Sequence, residues 1–585
     1  MTPYRSPGIY LREAAERRVA RLETVPMSVA AFLGIAQRGP LYTPTRITSF
    51  TEFKGVYGTF VPYGYLAYAV SGFFANGGRE CYVIRIAHVS DDAAQEGATR
   101  ATLTTKAASG ADLLGITASS EGTWGNRIKV EIGEPKRPTS TLLTEDVPAG
   151  ASSARVRSTR GFGPGDVVEL RDGASTQFVV LTDSSGDELT WSPESPARSR
   201  FSAVSPTRVT AVEFRMTLAF ESQLEEFDNL SSDPRSERYF VKVLGSGSRL
   251  VGVIDRRSRP DVFDPPAPLS ARLSGGSDGL ETLTADDFVG FSEGPGLRRG
   301  LAALDEIDEV GLVAIPDVMA APRLSPGFTD KDVHAVQNAL ISHCELRRDR
   351  FAILDAPAAS DTEQIREWRR HFDSKYAALY YPWPKVLVPG DPAAAVRAVP
   401  PSGHVAGVYA RCEREQGVHK APANEVIEEV VGLETVVSLD TQGLLNHEHV
   451  NCLRAFPARG IRIWGARTLS SDASWRYVNV RRLITMIERA VEEGTQWAVF
   501  EGNEPTLWKQ VIRSVAGFLR ELTREGYLVG ETDDEAFYVK CDEETNPPEV
   551  IDAGQFVCEI GVAAVRPAEF IVFRIGQRTE EPIVE

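Results

Sequence analysis

The sequence predicts a multidomain α/β (α+β) protein whose core domain, built from amino- and carboxy-terminal regions, is interrupted by inserted domains. Three observations lead to this prediction. Buried strands alternate with helices in the first and last parts of the chain. Residues 134–206 instead carry short alternating strands separated by turn residues. The length of 585 residues corresponds to about three or four domains.

The amino-terminal part predicts an arm, residues 1–23, followed by the first part of the core, residues 24–110. Ile9, Tyr10 and Leu11 form a short apolar cluster in a proline-flanked stretch. The segments that follow have the order strand, helix, helix, strand, which opens an α/β domain. They are a strand from Met27, a helix near Thr51 after the capping residue Ser49, a helix over Leu66–Asn76 and a strand over Cys81–Ala87.

The middle of the chain predicts β-structure. Residues 134–206 are rich in Ser, Thr, Gly, Pro and Asp and contain runs such as DVVELRD and TQFVVLTD. These features predict a small antiparallel domain, which we expect to fold independently on the outer surface because the composition changes abruptly at both edges. Strands continue beyond it, so residues 111–133 and 207–330 are assigned to a middle insertion domain.

The last third of the chain predicts the second part of the core, residues 331–565. Six of the eight tryptophans lie between Trp368 and Trp508, so the largest apolar core is expected here. A carboxy-terminal strand and charged tail, residues 566–585, complete the chain. The predicted elements are a strand over Val310–Pro316, a helix over Lys331–Arg347, a strand over Phe351–Asp355, a helix over Asn479–Glu493 closed by Gly494, a strand through QWAVFE and a helix over Pro505–Glu525.

Composition is that of a globular protein, with 42% hydrophobic and 25% charged residues. The net charge is −17, from 64 Lys and Arg against 81 Asp and Glu, which argues against nucleic acids or anionic membranes as partners. No stretch approaches the ~20 apolar residues of a membrane span, and the amino terminus has no hydrophobic signal core. The six cysteines form no CxxC pair, which suits reduced thiols in a cytosol.

Enzyme and metal motifs lack their required context. No Gly-Lys dipeptide is present, so the Walker phosphate loop is absent. Ser292 in Gly290–Gly294 matches GxSxG, the basis of a remote serine-hydrolase alternative, but the flanking strand and helix are missing. His447 and His449 would share a face on a strand, yet no third ligand follows them. We therefore expect no catalytic residues, no metal and no cofactor.

Two features remain as candidate sites. Ile571, Phe573 and Ile575 alternate along a half-buried strand, and this strand and the Ile9–Leu11 cluster each need a sheet, in this chain or in a neighbour. The second feature lies in the helix over Pro505–Glu525, where four basic residues fall within roughly 60° of one another on the helical wheel. This basic stripe consists of Lys509, Arg513, Arg520 and Arg524. It is either a solvated face or a docking surface for an acidic partner.

Several sequence blocks resemble contractile tail sheath proteins of phages and related contractile injection systems. The resemblance covers nearly the whole chain in the same order and is weak only in residues 134–206. The amino-terminal blocks are YRSPGIYLRE and FFANGGRECYVIRI, and the middle blocks are TWGN and LSGGSDG. The carboxy-terminal blocks are HKAPAN, LLNHEHVNCLRAFPARGIRIWGARTLS, WRYVNVRRL, WAVFEGNEPTLW, EAFYVKCDEETNPP and PAEFIVFRI.

The resemblance implies a structural subunit and not an enzyme. Such a subunit polymerises helically, as stacked rings, around an inner tube, and the sheath contracts when a baseplate triggers it. The implied partners are further copies of the chain, the inner tube protein, the baseplate and a terminal cap, without nucleic acid or direct membrane insertion. The implied location is the bacterial cytoplasm during assembly and then a phage tail or a phage-tail-like particle, with possible release. Whether the particle is a phage or an injection system stays open.

The resemblance also suggests roles for the candidate sites. In this family the terminal arms add strands to neighbouring subunits, so Ile9, Tyr10, Leu11, Ile571, Phe573 and Ile575 are expected to link subunits. The basic stripe is predicted to contact the inner tube. A tube or baseplate component of the same kind of particle is the alternative.

Overall fold

The structure, a computed structural model, describes residues 22–90, 97–173, 175–205, 207–258, 265–292, 294, 298–390 and 395–569. The predicted arm residues Ile9, Tyr10, Leu11, Ile571, Phe573 and Ile575 lie outside these ranges. Helices and strands are both abundant and form several sheets with separate apolar cores. The predicted mixed α/β multidomain class is confirmed.

In chain order, the helices are α1 (Phe50–Tyr57), α2 (Leu66–Ala75), α3 (Phe240–Gly247), α4 (Ala285–Val289), α5 (Ala321–Leu324), α6 (Asp330–Arg347), α7 (Thr362–Arg369), α8 (Ser402–Gln416), α9 (Leu439–His447), α10 (Val478–Thr495), α11 (Pro505–Arg524), α12 (Asp533–Ala536) and α13 (Pro548–Asp552). The strands are β1 (Ala30–Gly34), β2 (Thr45–Ile47), β3 (Cys81–Arg85), β4 (Ala98–Thr99), β5 (Thr102–Lys106), β6 (Asp112–Ala118), β7 (Lys129–Gly133), β8 (Ser140–Leu142), β9 (Ser153–Arg155), β10 (Val167–Arg171), β11 (Thr176–Ser185), β12 (Glu188–Trp191), β13 (Arg208–Ala211), β14 (Phe214–Phe220), β15 (Gln223–Leu230), β16 (Val251–Asp255), β17 (Leu269–Arg272), β18 (Ser277–Asp278), β19 (Leu312–Ala314), β20 (Phe351–Asp355), β21 (Ala377–Tyr381), β22 (Pro384–Leu387), β23 (Val396–Ala398), β24 (Glu425–Val426), β25 (Gly432–Leu433), β26 (Val450–Phe456), β27 (Gly460–Trp464), β28 (Phe537–Lys540) and β29 (Glu559–Val562). Short 3-10 helices cover Thr123–Arg127, Gly300–Glu306, Pro316–Met319, Ala473–Trp475 and Gln496–Ala498.

The core sheet combines strands from distant parts of the chain. Among the described residues its order is β2-β3-β1-β19-β20-β21-β26-β27-β24. The strands from β3 to β26 pair in parallel, and β2, β27 and β24 add antiparallel edges. Because β1 lies between β3 and β19, the two regions on either side of the insertions form one sheet.

Helices cover both faces of this sheet. α6 and α7 pack on one face, and α1, α2 and α8 pack on the other. Every residue of β1 and of β20 is buried, which explains why these strands have continuous apolar sequences instead of an alternating pattern. α8 approaches α2 closely because a Cβ at Gly403 would lie 2.3 Å from Ala69 Cα.

A buried carboxylate, Asp317, joins the two regions of the core. It accepts hydrogen bonds from the backbone N–H groups of Ile35 at 2.7 Å and Leu66 at 3.0 Å, and from that of Tyr65. The donors Tyr65 and Leu66 form the start of α2, where partial positive charge favours a carboxylate. A Cβ at Gly34 would lie 2.2 Å from Asp317 Oδ2, so glycine is required beside it. Burial raises the pKa of Asp317 to about 6, and the three N–H donors oppose that shift.

Asp355, at the end of the adjacent strand β20, holds a second helix in the same way. Its two carboxylate oxygens accept from Ser402 N–H at 2.8 Å and from Ser402 Oγ at 2.6 Å at the start of α8. Burial raises the pKa of Asp355 to about 7. The helices that cover one face of the sheet, α2 and α8, are therefore both fixed by carboxylates that follow core strands.

The insertions form antiparallel sheets with cores of their own. β15-β14-β7-β17 and β16-β6-β5 share one apolar core, and β8-β13-β10-β11-β12-β9 encloses another. This last sheet includes β13 and so extends past the predicted edge at residue 206. Gly133 and Arg215 are paired in the β7–β14 ladder, so the chain leaves for this sheet and returns at neighbouring positions.

Two predicted domain edges fall inside sheets. β19 lies at the centre of the core sheet, although residues up to 330 were assigned to the middle domain. β5 pairs with β6, although residues up to 110 were assigned to the core. Strands this short carry too little local pattern to reveal which sheet they join, because distant partners decide their pairing.

The predicted strand through QWAVFE is wrong, and so is the predicted end of the helix before it. α10 continues through Gly494 to Thr495, and a 3-10 helix over Gln496–Ala498 follows. Gly494 does not end the helix but allows Leu22 to pack closely against it, because a Cβ at Gly494 would lie 2.5 Å from Leu22 Cγ. Val499 and Phe500, which suggested a strand core, are exposed, and Phe500 has a φ of 68°.

Replacing Asp317 with alanine tests the junction between the core regions. Asp317→Ala leaves three buried N–H groups without their acceptor, at about 1–3 kcal/mol each. We expect the thermal unfolding midpoint of the purified monomer to fall clearly. Asp440→Ala, which removes an exposed acid from the first turn of α9, is the matched control and should change stability by less than about 1 kcal/mol. Equal midpoints for the two variants would contradict this role of Asp317.

Candidate intersubunit surfaces

Helix α10 lies beneath both ends of the described chain. Its sequence buries three arginines, Arg481, Arg482 and Arg489, among apolar residues. Buried arginines need partners. Those of Arg482 and Arg489 come from distant segments, whereas Arg481 pairs with Glu488 of α10 itself. Arg482 pairs with Glu413 of α8 at 2.6 Å, and Arg489 donates to the backbone carbonyl of Asp308 at 2.9 Å.

The amino-terminal end is held by this arginine network. Met27 N–H donates to Glu413 Oε1 at 2.7 Å, and Arg482 Nη2 donates to Met27 O at 3.1 Å. Leu22, the first described residue, is buried against Gly494 of α10. Whatever precedes Leu22 therefore starts from a fixed point on α10.

The carboxy-terminal end of the described chain is held beside the start of the same helix. Arg467 Nε donates to Glu569 Oε1 at 2.8 Å, and Tyr477 Oη donates to Glu569 Oε2 at 3.4 Å. Asn479 Nδ2 donates to Val565 O at 2.9 Å. The hydrogen bond to Glu569 raises the pKa of Arg467 against the opposing effect of burial. A cleft of about 810 Å³, lined by Leu439, Trp464, Asn479 and Pro567 among others, opens next to Glu569.

A two-stranded antiparallel sheet, β28–β29, lies next to these ends. Phe537, Val539 and Ile560 belong to the apolar core that it shares with α10 and α11. On the other face, Tyr538 is 59% exposed. No third strand pairs with β28 or β29 within the described ranges. Two strands alone are marginally stable in water, and open edges are sites for further strands.

The basic stripe lies on the exposed face of α11. All four of its residues, Lys509, Arg513, Arg520 and Arg524, are exposed, whereas Val511, Val515 and Phe518 are buried on the opposite side. Arg520 pairs with Asp533 at 2.7 Å, and both side chains are nearly half exposed. In the part of the chain that the structure describes, the other three have no ion-pair partner. The four residues of the stripe therefore share one exposed surface of α11.

The motifs that suggested chemistry are not assembled into sites. Ser292 forms an isolated bridge with Arg298 and follows the short helix α4 instead of the strand that a nucleophile elbow requires. His447 ends α9, and His449 has a φ of 61°, so they do not share the face of a strand. The described residues contain no group of three or more His, Cys, Asp or Glu side chains that could hold a metal ion. Across the same residues, no helix is both long and apolar enough to cross a bilayer.

Known proteins and family models are similar to large parts of this chain. The family model for the phage tail sheath protein central domain matches residues 301–469, and that for the phage tail sheath C-terminal domain matches residues 470–578. A prophage major tail sheath protein of Pseudomonas aeruginosa (strain UCBPP-PA14) is 30% identical over 299 residues, which cover 50% of this chain and 72% of the relative. This chain belongs to the phage tail sheath family. The predicted function, a structural sheath subunit, is confirmed.

Solved assemblies share the fold of this sheath protein. A chain of the anti-feeding prophage helical sheath in its contracted state matches with a TM-score of 0.52 at 20% identity, covering 98% of this chain and 100% of that one. A chain of the anti-feeding prophage baseplate matches with a TM-score of 0.50 at 20% identity, covering 99% and 100%. These similarities show a common fold and do not test individual residues.

The anchors of the two ends were missed from the sequence. Arg467, Arg482 and Glu413 look like ordinary surface charges, because their partners lie far away in the chain. Arg482 is 455 residues from Met27, and Arg467 is 102 residues from Glu569. The available signal was the helical register of α10, which places Arg482 and Arg489 seven residues apart on one face.

Replacing Arg482 with methionine tests the amino-terminal anchor. Arg482→Met keeps most of the side-chain volume but leaves Glu413 without its buried cation, which costs about 3–5 kcal/mol when one partner of a buried pair is removed. We expect the amide hydrogen of Met27 to exchange much faster in hydrogen–deuterium exchange. Arg524→Met, which alters an exposed arginine of α11, should leave that exchange unchanged. Slow Met27 exchange in both variants would show that Arg482 is not the anchor.

Proposed function

We propose that this sheath subunit polymerises helically, as stacked rings, around an inner tube, and that the polymer shortens to drive the tube through a target envelope. The observation that carries this proposal is that both ends of the described chain, Leu22 and Glu569, lie near a two-stranded sheet that has no third strand among the described residues. A subunit arranged in this way is incomplete alone and complete in a polymer. The helical sheath of the anti-feeding prophage, whose subunit has a similar fold, has been solved in a contracted state. This similarity supports the proposal that the present subunit also forms a sheath that shortens.

We propose that the terminal arms supply the missing strands. Ile9, Tyr10 and Leu11 of one subunit, and Ile571, Phe573 and Ile575 of another, would add to β28–β29 of a third. About twenty extended residues reach at most ~66 Å, well beyond the ~18 Å radius of gyration of a 250-residue domain. Each added strand supplies a few hydrogen bonds worth roughly 1 kcal/mol net each, and repetition along the polymer makes the linkage strong.

We propose that the basic stripe faces the particle axis and contacts acidic residues of the inner tube. Exposed charge pairs contribute only about 0.2–1 kcal/mol each. Several together would guide assembly on the tube and still separate when the sheath contracts. Lys509, Arg513 and Arg524 support this role because they are exposed without an ion-pair partner among the described residues.

The remaining assignments follow from the same particle. We propose assembly in the bacterial cytoplasm, contacts with a baseplate and a terminal cap, and incorporation into a phage tail or a released tail-like particle, without a cofactor or enzymatic activity. The baseplate match favours one second candidate, a baseplate component of such a particle. Negative-stain electron microscopy separates the two, because a sheath forms long sleeves wider than the tube.

Reversing two charges of the stripe tests the tube contact. Lys509→Glu with Arg513→Glu, expressed with the tube protein, should give bare tubes together with free or contracted sheath, because repulsion replaces attraction at the tube surface. Particle morphology is scored by negative-stain microscopy. Lys54→Glu with Lys331→Glu changes two exposed helical lysines elsewhere by the same charge and should give normal extended particles. Normal extended particles from the stripe variant would refute the contact.

Removing residues 1–20 tests the arms. The truncated chain should be a soluble, folded monomer whose melting temperature matches that of unassembled full-length protein, because the arm residues are buried only between subunits. Analytical ultracentrifugation should detect no polymer. As a control, a chain in which a short Gly-Ser bridge replaces residues 134–206, and which therefore lacks most of the β8–β13 sheet, should still polymerise. Aggregation of the truncated chain would place the arm in its own core, and normal polymerisation would make the arm dispensable.

A further inference from the structure

Two cysteines face each other across the β28–β29 sheet. The register pairs Phe537 with Val562 and Lys540 with Glu559, so the next opposed pair is Cys541 and Cys558. Cys541 directly follows β28 and Cys558 directly precedes β29, so the pair lies at the two ends of the connection between the strands. The other anchors of this region join residues at least 69 positions apart, but this pair is local.

The hydrogen-bond pattern gives the spacing of the pair. Ala563 N–H donates to Ala536 O at 2.8 Å, so Ala536 and Ala563 are a hydrogen-bonded pair. Counting along the ladder, alternate pairs are hydrogen-bonded, and Cys541 and Cys558 fall on a non-hydrogen-bonded position. Opposed Cα atoms at such positions are about 4.5 Å apart, inside the ~4.4–6.8 Å range of disulfides.

The side chains fit the same conclusion. The thiols of Cys541 and Cys558 are close enough for each to affect the pKa of the other. Asn546 fixes the pair from one side, because its Nδ2 donates to Cys541 Sγ at 3.5 Å and to Val557 O at 2.8 Å, while its Oδ1 accepts from Val557 N–H at 2.7 Å. Cys541 is buried, and Cys558 is partly exposed. By contrast, Cys412 and Cys452 donate to backbone carbonyl groups.

We propose that Cys541 and Cys558 form a reversible dithiol–disulfide site that reacts with low-molecular-weight disulfides such as oxidised glutathione. The thiolate of the partly exposed Cys558 attacks one glutathione sulfur and releases a glutathione thiolate. The thiolate of Cys541 then attacks the Cys558 sulfur of the mixed disulfide and releases the second glutathione thiolate. The two cysteines lose two protons and two electrons in total, and glutathione receives the electrons.

The environment makes this site slow to oxidise at neutral pH. Burial, together with the neighbouring thiol of Cys541, raises the pKa of Cys558 to about 12. Burial also raises the pKa of Cys541, against the opposing hydrogen bond from Asn546. Since thiolates are the attacking species, oxidation should accelerate as the pH rises. The dithiol would persist in a reducing cytosol and close in an oxidising medium.

The consequence of closure lies in the sheet itself. A bond between Cys541 and Cys558 would close the connection between β28 and β29 and limit the separation of the two strands. It would leave both outer edges of the sheet open. The chemistry takes place within one subunit, so it does not depend on the proposed exchange of arms.

The experiment counts free thiols in the full-length protein. The purified subunit is incubated at pH 8 with oxidised glutathione, denatured and labelled with N-ethylmaleimide. The number of labels is then read from the intact mass by mass spectrometry. Two of the six cysteines should no longer react with N-ethylmaleimide, so the oxidised chain should carry four labels. Treatment with dithiothreitol before labelling should restore six labels. A tryptic digest should contain a peptide cross-linked between Cys541 and Cys558.

Two variants sharpen the test. Cys558→Ser has five cysteines and should keep five labels after oxidation, whereas Cys452→Ser should fall from five labels to three. Six labels on the unaltered chain after oxidation would overturn the proposal, and so would a stable glutathione adduct or a cross-link between other cysteines. The peptide map of the unaltered chain decides the question even where a variant fails to fold.

Discussion

The core depends on the hydrogen bonds that the Asp317 carboxylate accepts from the end of β1 and the start of α2. Asp317 and Ile35, one of the donors, are 282 positions apart in the chain. Without an acceptor there, three backbone N–H groups would be buried and unpaired. The arrangement also requires Gly34, since a side chain would occupy the space of the carboxylate. One charged group thereby sets the position of a strand and of a helix, and through them the junction of the two core regions.

A core joined in this way permits the insertions and leaves both ends of the described chain on α10, with Leu22 near the end of that helix and Val565 near its start. The β7–β14 ladder brings Gly133 next to Arg215, so the chain leaves for the inserted sheet and returns from it at one place. Helix α10 contacts both Leu22 and the segment around Val565. The buried arginines of α10 are costly in isolation. Arg482 and Arg489 have their partners Glu413, Met27 and Asp308 in other parts of the fold, and Arg481 pairs with Glu488 within the helix.

The sequence predicted the elements whose pattern is local and long. The strand Phe351–Asp355 is found as predicted, and the helix from Pro505 ends at Arg524, one residue from its predicted end. The exposure of the basic stripe also followed from helical periodicity alone. The prediction failed where a distant residue decides, as at Gly494, which packs under Leu22 and does not end α10. The anchors Arg467 and Arg482 escaped for the same reason, since no local pattern identifies a partner hundreds of residues away.

Helix α11 connects the proposed surfaces physically. Its apolar face shares one core with β28–β29 and with α10, and its opposite face carries the basic stripe. Any force that an arm exerts on β28–β29 therefore reaches α11 through packed side chains, which are close to incompressible. From there it passes to α10 and through Arg482 and Glu413 to α8 in the core. The proposed tube contact and the proposed links between subunits would thus act on the same helix, and a shift of the sheet relative to the core would move the stripe with it.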